Sequence, residues 1–136
     1  MDDRELLRQK KPELITNTIK VLLVDDCLLL LETLGDILSL KGFQTIKSRD
    51  SWLAVELAET QKPDLVLCDL RMPKFNGYDV LIALGKNLVT RDIPVIMLSG
   101  DWTDSERRMA KELGAKDCLD KPCNLDELSE AIRKYC

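Results

Sequence analysis

The 136-residue sequence contains no histidine, and this absence excludes several classes of catalytic site. Ser–His and Cys–His nucleophile pairs, a histidine general base and histidine-containing zinc sites all need an imidazole side chain. Any chemistry on this chain must therefore use carboxylates, lysine, hydroxyls or thiols. The length suits one compact domain with its own buried core.

The sequence also lacks an excess of positive charge. Lys and Arg number 20 against 24 Asp and Glu, which gives a formal net charge of −4 and a pI of about 4.9. Proteins that bind nucleic acids usually carry a basic excess or a basic stripe. We therefore expect no direct contact with nucleic acid.

Long apolar runs are missing as well. None approaches the roughly 18 residues of a membrane-spanning helix, and the charged residues 1–5 contain no signal-peptide core. We expect a cytoplasmic protein with no membrane partner. The five cysteines are an odd number without a C-x-x-C pair, which favours reduced thiols in a cytosolic chain. A redox role for Cys118 or Cys123 is the weaker alternative.

Short apolar runs alternate with helical patterns from residue 20 onward. The apolar runs span 21–24, 65–68 and 95–98, and two weaker strand patterns span 43–47 and 117–119. Continuous apolar runs of this length are typical of strands buried on both faces. Alternation with helices predicts an α/β fold, a parallel sheet of five strands with helices on both faces. We place this domain at residues 20–136, after a polar N-terminal extension at 1–19.

Polar residues stand where four of these strands end. Asp25 and Asp26 follow the first strand, Asp69 the third, Ser99 the fourth, and Lys121 the fifth. Each residue has an ordinary structural explanation as a helix cap, a turn or a loop residue. The carboxyl ends of parallel strands meet at one edge of a sheet, where ligands bind. Polar residues at four strand ends together therefore predict a ligand-binding site at that edge.

The residue types at this edge predict a metal ion and a phosphoryl group. Three carboxylates brought close together repel one another unless a cation compensates them. Mg²⁺ prefers oxygen ligands and keeps several waters. One divalent cation and one lysine balance three carboxylates. A carboxylate can also attack phosphorus and form an aspartyl phosphate.

With these motifs the sequence resembles the receiver domains of two-component response regulators. The resemblance covers about 20–135 and includes the spacings of 43 residues from Asp26 to Asp69, 30 to Ser99 and 22 to Lys121. Its motifs are Val24-Asp25-Asp26, Asp69-Leu70-Arg71-Met72-Pro73 with Gly77, Ser99-Gly100, and Gly114-Ala115 with Asp117, Leu119 and Lys121-Pro122. It implies a flavodoxin-like, doubly wound (βα)5 fold with strand order 2-1-3-4-5.

The resemblance also implies a role for each site residue. Asp69 would accept a phosphoryl group from a phosphohistidine on a histidine kinase or histidine phosphotransfer protein. Asp25, Asp26, Asp69 and the backbone carbonyl of Arg71 would hold Mg²⁺. Ser99 and Lys121 would each bind a phosphoryl oxygen. Lys121 would also precede a cis proline, Pro122.

The same resemblance sets expectations for output. Signals would pass to a downstream protein through the surface of helix 4, strand 5 and helix 5, which is also a candidate homodimer face. Only 15 residues follow Lys121, so the sequence predicts a stand-alone receiver. Such a protein catalyses only its own phosphorylation and dephosphorylation.

Three features depart from the family pattern or stand outside it. Cys118 occupies a position where the family usually has Tyr or Phe, which puts the usual aromatic switch in doubt. Trp102 is either a substitute switch or contact residue, or a hydrophobic lid. Among the leucines at 28–31, Leu28 or Leu29 should be exposed, either as a docking patch or as isolated surface residues.

Two other function classes compete with a phosphoacceptor. The first is a phosphorylation-independent pseudo-receiver, which Cys118 favours and the complete set of acidic and lysine positions opposes. The second is a phosphohydrolase with an aspartyl nucleophile, which would carry a second aspartate where this chain has Arg71. A P-loop nucleotide binder is excluded because no G-x-x-x-x-G-K-[ST] run is present.

Overall fold

The computed structural model describes residues 18–136. Strands β1 to β5 span Lys20–Val24, Gln44–Ser48, Leu65–Asp69, Val95–Ser99 and Asp117–Asp120. Helices α1 to α5 span Leu28–Leu40, Ser51–Gln61, Gly77–Lys86, Asp104–Glu112 and Leu125–Tyr135. One helix follows each strand, so the alternation predicted from the sequence is confirmed.

The N-terminal extension predicted at residues 1–19 lies almost wholly outside the described residues. The domain boundary at residue 20 therefore stays a prediction. Within 18–136, no helix combines the length and the apolar character needed to span a membrane.

The five strands form one parallel sheet in the order β2-β1-β3-β4-β5. The chain winds from β1 to β2 and then crosses to the other side of β1 to form β3. This reversal places a topological switch point between β1 and β3. The flavodoxin-like, doubly wound fold expected from the sequence is confirmed.

Alternate residues of β1 supply two separate cores, because successive side chains of a strand point to opposite faces. Leu22 and Val24 pack with helices α2, α3 and α4, whereas Val21 and Leu23 pack with α1 and α5. All four side chains are buried. The central strands are thus apolar on both faces, and only their carboxyl ends are left for polar chemistry.

Side-chain caps fix where four helices begin. Asp50 accepts hydrogen bonds from the second and third amides of α2, and Asn124 does the same for α5. Asn76 and Thr103 each form a capping box with the acidic residue three positions later. Helix α1 differs, because Cys27 stands at its N-cap and provides no side-chain hydrogen bond.

Strand β2 spans Gln44–Ser48 and begins one residue later than the weak strand pattern at 43–47 predicted. Phe43 belongs to the turn after α1, where its amide donates a 3.0 Å hydrogen bond to the carbonyl of Leu38. Its ring is buried in the core that α1 and α5 cover. An apolar residue that packs from a turn has the same sequence signature as the first residue of a strand.

Candidate functional site

Three carboxylates meet at the carboxyl ends of the neighbouring strands β1 and β3. Asp25 and Asp26 follow β1, and Asp69 is the last residue of β3. One oxygen from each carboxylate lies within 4.8 Å of the others. Asp25 and Asp69 are 4% and 6% exposed, whereas Asp26 is exposed. These three residues, the acidic triad, are placed together as their strand-end positions predicted.

Lys121, which follows β5, reaches into the acidic triad. Its Nζ lies 2.6 Å from Oδ2 of Asp25 and 3.0 Å from Oδ1 of Asp69. The second oxygen of Asp25, Oδ1, accepts a 2.9 Å hydrogen bond from the amide of Cys27. One ammonium compensates one of three carboxylates, so the site keeps an excess of negative charge.

Burial and charge set the protonation of this group. Burial raises the pKa of Asp69 above its ordinary value, Lys121 opposes that rise, and the nearby charge of Asp25 adds to it. Burial alone would lower the pKa of Lys121, but its hydrogen bonds to Asp25 and Asp69 raise it overall. Lys121 is therefore a fixed positive charge beside Asp69 at neutral pH.

The acidic triad fits a hard divalent cation. Mg²⁺ takes oxygen ligands and usually binds through a small number of carboxylates while keeping several waters. Three oxygens from separate side chains converge here, and the exposed Asp26 leaves one side open to solvent. Arg71, whose backbone carbonyl was predicted as a further ligand, stands two positions after Asp69 in the loop that follows β3.

The hydroxyl of Ser99 is engaged by its own loop. Ser99 ends β4 and is 1% exposed. Its Oγ donates a hydrogen bond to Oδ1 of Asp101 at 3.1 Å, and the Asp101 amide donates back to Oγ at 3.4 Å. The carbonyl of Ser99 accepts a 2.9 Å hydrogen bond from the amide of Lys121, which ties the ends of β4 and β5 together.

Arg71 joins the loop after β3 to the loop after β4. Its Nε lies 2.8 Å from Oδ1 of Asp101, and its Nη2 lies 2.9 and 2.8 Å from the two carboxylate oxygens of Glu106. We call these three residues the Arg71 cluster. Hydrogen bonds from Arg71 and then from Ser99 lower the pKa of Asp101. The acceptor of the Ser99 hydroxyl is therefore an ionised carboxylate.

A sequence model of the response regulator receiver domain matches residues 21–133. The match includes the acidic triad, Ser99 and Lys121. The chain belongs to the response regulator receiver family. Acceptance of a phosphoryl group is the general function of receiver domains in two-component signalling.

Relatives of this receiver include proteins of two lengths. The transcriptional regulatory protein CpxR of Escherichia coli K12 is 42% identical over 114 residues, which cover 84% of this chain and 47% of CpxR. The sporulation initiation phosphotransferase F of Bacillus subtilis is 29% identical over 116 residues, which cover 85% of this chain and 92% of that protein. The chain therefore spans about half the length of the CpxR proteins it matches.

Solved receiver structures share the fold. Chemotaxis protein CheY4 of Vibrio cholerae has a TM-score of 0.83 at 24% identity, covering 88% of this chain and 99% of that chain. The receiver domain of the sensor histidine kinase PA1611 from Pseudomonas aeruginosa has a TM-score of 0.80 at 26% identity, covering 87% and 97%. That structure holds a magnesium ion coordinated in its active-site cleft.

Gly77 lets the first turn of α3 pack against the end of β3 in this receiver. A Cβ at this position would lie 2.6 Å from the carbonyl oxygen of Asp69 and would clash with the methyl group of Met97. The amide of Gly77 donates a 2.9 Å hydrogen bond to the carbonyl of Leu70. The predicted cis bond between Lys121 and Pro122 is also present.

Two of the receiver's unusual residues lie on one face of the sheet. Cys118 on β5 is buried, and burial raises the pKa of its thiol. Trp102 packs against the core that contains Cys118, and its indole Nε1 donates a 2.8 Å hydrogen bond to the carbonyl of Leu119. Trp102 therefore packs over this core as a lid would, and its role as a switch or contact residue stays a prediction.

The leucines at the start of α1 are buried on one side of the helix and exposed on the other, as the helical repeat requires. Leu31 is buried, whereas Leu28 and Leu29 are 47% and 74% exposed, so the predicted exposure is confirmed. Beside them a cavity of about 350 Å³ lies between α1 and the segment after β5. Its apolar lining comes from Leu30, Leu34, Ile37, Leu98, Pro122 and Cys123.

The ion pairs of the Arg71 cluster were not predicted from the sequence. Only the backbone carbonyl of Arg71 was assigned a role. A usable signal was present. Arg71 and Asp101 each stand two positions after the polar residue that ends a strand, and the two strands, β3 and β4, are neighbours in the sheet. Opposite charges at the same offset from adjacent strand ends predict an ion pair across the two loops.

Proposed function

We propose that this chain is a phosphoacceptor signalling protein. In this proposal Asp69 takes a phosphoryl group from a phosphohistidine on a histidine kinase or histidine phosphotransfer protein. The observation that carries the proposal is the position of Lys121 Nζ, 3.0 Å from the buried Asp69 carboxylate and 2.6 Å from Asp25. A fixed cation at this point can compensate the charge that arrives with the phosphoryl group.

Phosphoryl transfer needs only Asp69, the phosphohistidine donor and water. A carboxylate oxygen of Asp69 bonds to phosphorus while the P–N bond of the phosphoimidazole breaks. The electron pair stays on the ring nitrogen, which takes a proton from solvent. Attack by water on phosphorus later breaks the new P–O bond, releases inorganic phosphate and restores the carboxylate. The chain therefore acts only on its own aspartate and is not an enzyme with a separate substrate.

The remaining site residues divide between the metal ion and the phosphoryl group. The acidic triad and the backbone carbonyl of Arg71 would hold Mg²⁺. The bound ion supplies positive charge to phosphoryl oxygens during transfer. Lys121 pairs with one phosphoryl oxygen, and the hydroxyl of Ser99 donates a hydrogen bond to another.

The phosphohistidine-bearing partner docks on the apolar surface beside Lys121 in this proposal. The cavity between α1 and the segment after β5 is lined by Lys121 itself as well as by apolar side chains. Leu28 and Leu29, exposed at the start of α1, would offer this partner further apolar contacts outside the cavity. An apolar helix face seated here carries its histidine toward the acidic triad, and a helix in a groove is a common mode of recognition.

Output passes through the face formed by α4, β5 and α5, either to a downstream protein or to a second copy of this chain. The receiver domain comprises residues 20–136 and follows an N-terminal extension at 1–19. The protein acts in the cytoplasm, where it meets its phosphohistidine donor.

The test is direct phosphorylation by acetyl phosphate in the presence of Mg²⁺. We expect an acid-stable, base-labile phosphoryl adduct on the wild-type chain, which chelation of Mg²⁺ abolishes. Asp69→Asn should remove the adduct. Asp126→Asn is the matched control and should leave labelling unchanged, because Asp126 on α5 forms an exposed ion pair with Lys41, the residue after α1.

Two outcomes would contradict this proposal. Labelling that persists in Asp69→Asn would remove the assignment of Asp69 as the acceptor. A wild-type chain that stays unlabelled while another receiver labels under the same conditions would favour the phosphorylation-independent pseudo-receiver. Cys118, which takes the place of an aromatic switch residue, is the observation that keeps that alternative in the test.

A further inference from the structure

The Ser99 hydroxyl has one hydrogen and two acceptors that compete for it. In this structure it donates to Oδ1 of Asp101 at 3.1 Å. A phosphoryl group on Asp69 offers another acceptor, and a single hydroxyl hydrogen cannot donate fully to both. Donation to the phosphoryl group therefore breaks or weakens the bond to Asp101.

Asp101 lies in the loop after β4, and only weak interactions hold its side chain in place. Its side chain is 71% exposed, and its partner Arg71 is 50% exposed. Exposed ion pairs contribute little to stability because water and salt screen them. Once Ser99 turns away, Asp101 keeps only weak restraints on its position.

The next residue, Trp102, carries this loop onto the edge strand β5. Its indole Nε1 donates a 2.8 Å hydrogen bond to the carbonyl of Leu119. The guanidinium of Arg107, on α4, lies 5.6 Å from the centre of the indole ring and donates a 2.9 Å hydrogen bond to the carbonyl of Cys118. Two consecutive carbonyls of β5 are thus covered by side chains from the loop after β4 and from α4.

We propose that Asp101 is a positioning residue for the Ser99 hydroxyl, and that its release by the phosphoryl group detaches the Trp102 indole from β5. This inference rests on the proposed function, because it requires a phosphoryl group on Asp69. The moving aromatic group of this chain then lies in the loop after β4. The buried Cys118 side chain, which is too small for a large rotamer change, stays in place.

Detachment of Trp102 changes the surface that a downstream protein meets. It exposes an indole ring beside β5. Trp is enriched at binding hot spots, so an exposed indole offers a partner protein an anchor. Phosphorylation at Asp69 would thereby become readable on the face formed by α4, β5 and α5.

The fluorescence of Trp102 tests this inference. The chain has two tryptophans, and Trp52 is 67% exposed, so Trp52→Phe leaves a folded protein with Trp102 as its only tryptophan. We expect the emission of this variant to shift to longer wavelength when acetyl phosphate and Mg²⁺ are added. The shift should follow the phosphorylated fraction, measured on a phosphate-affinity gel at the same times. Trp102→Phe should form the adduct without this shift.

Variants at the positioning residue separate coupling from simple folding effects. Asp101→Ala, made in the Trp52→Phe background, should show the shifted emission before any phosphodonor is added. Asp101→Asn keeps an oxygen acceptor for the Ser99 hydroxyl and should restore the unshifted emission. Ser99→Ala removes the same hydrogen bond to Asp101 and should likewise show the shifted emission before any phosphodonor is added.

The outcomes distinguish failure of this inference from failure of the proposed function. A fully phosphorylated Trp52→Phe protein with unshifted emission would overturn the inference and leave Asp69 as the acceptor. Trp102 would then only anchor the loop after β4 to β5. Absence of any adduct would contradict the proposed function itself.

Discussion

Two clusters of charge lie at the same edge of the sheet and differ in depth. Lys121 and the two buried members of the acidic triad are enclosed, with Asp25 and Asp69 4% and 6% exposed. The Arg71 cluster lies largely in solvent. Buried charges are costly unless compensated in place, whereas exposed ion pairs contribute about 0–1 kcal/mol. The enclosed cluster thus holds the Asp69 carboxylate in place, whereas the exposed cluster can rearrange.

The largest effect should come from removing the cation of the enclosed cluster. Lys121→Met leaves Asp25 and Asp69 buried without their counter-charge. We expect the free energy of unfolding to fall by about 3 kcal/mol in metal-free buffer, measured by urea denaturation. Mg²⁺ should restore part of this loss, because an ion that binds only the folded state stabilises it.

Lys41→Met is the matched control, because Lys41 pairs with Asp126 at 2.9 Å on the exposed surface. This variant should change the free energy of unfolding by less than about 0.5 kcal/mol. Equal losses in the two lysine variants would show that burial does not distinguish the clusters.

A substitution at Gly77 tests how rigidly the backbone at the end of β3 is held. Gly77→Ala places a methyl group against the carbonyl of Asp69, the residue from which the loop to Arg71 departs. We expect a loss of about 2 kcal/mol from overpacking, measured by urea denaturation. Gly85→Ala, on the same helix but with no atom within 4 Å of the new methyl group, should be neutral or stabilising by up to about 1 kcal/mol. A stable Gly77→Ala would mean that the end of β3 can shift.

Asp69→Asn should stabilise the metal-free protein. Burial raises the pKa of Asp69, so the folded state holds this proton more tightly than the unfolded chain does. The contribution of Asp69 to stability is therefore present below the ordinary carboxylate pKa and is lost as pH rises through the raised value. Asn does not titrate, so the advantage of the variant should be small near pH ~4 and grow toward neutrality.

Thermal unfolding in a chelator measures this advantage. At neutral pH we expect a rise in Tm of about 3–5 °C, which corresponds to about 1 kcal/mol for a domain of this size. Mg²⁺ should stabilise the wild type more than Asp69→Asn. An advantage that shrinks as pH rises would reverse the assigned direction of the pKa shift.

The smallest effect should come from the exposed cluster. Arg71→Gln removes the ion pairs to Asp101 and Glu106 but keeps the backbone carbonyl. We expect a small loss in the free energy of unfolding at low salt, which disappears near 1 M NaCl because exposed charges are then screened. Urea denaturation at two salt concentrations measures it. A larger, salt-independent loss would mean that this cluster also holds the fold rigidly.

The sequence was sufficient for the sheet and for the residues at its edge. Strands buried on both faces leave continuous apolar runs, and polar residues such as Asp69 and Ser99 interrupt these runs where the strands end. The order of the strands came from the family resemblance and not from the residue pattern. The bounds of β2 were less certain, because Phe43 packs into the core from a turn.

The hydrogen bonds of side chains in and beside the loops could not be predicted in the same way. Ser99 was assigned to a phosphoryl oxygen, yet in this structure its hydroxyl bonds to Asp101. That partner depends on how two loops meet, and loop geometry leaves no periodic pattern in the sequence. Trp102 shows the same limit, since its contact to β5 depends on the path of the chain between β4 and α4.

The five cysteine thiols differ in solvent exposure. The rate at which each thiol is alkylated therefore measures how often the structure around it opens. Cys27 and Cys136 are exposed, Cys123 is half-buried, and Cys118 and Cys68 are buried. Cys68 precedes Asp69 in the central strand β3, and burial raises the pKa of its thiol far above the ordinary value, so reagents reach it as a thiolate only when the sheet opens. Any ligand held by the acidic triad should therefore slow the modification of Cys68 while Cys136 reacts at its usual rate.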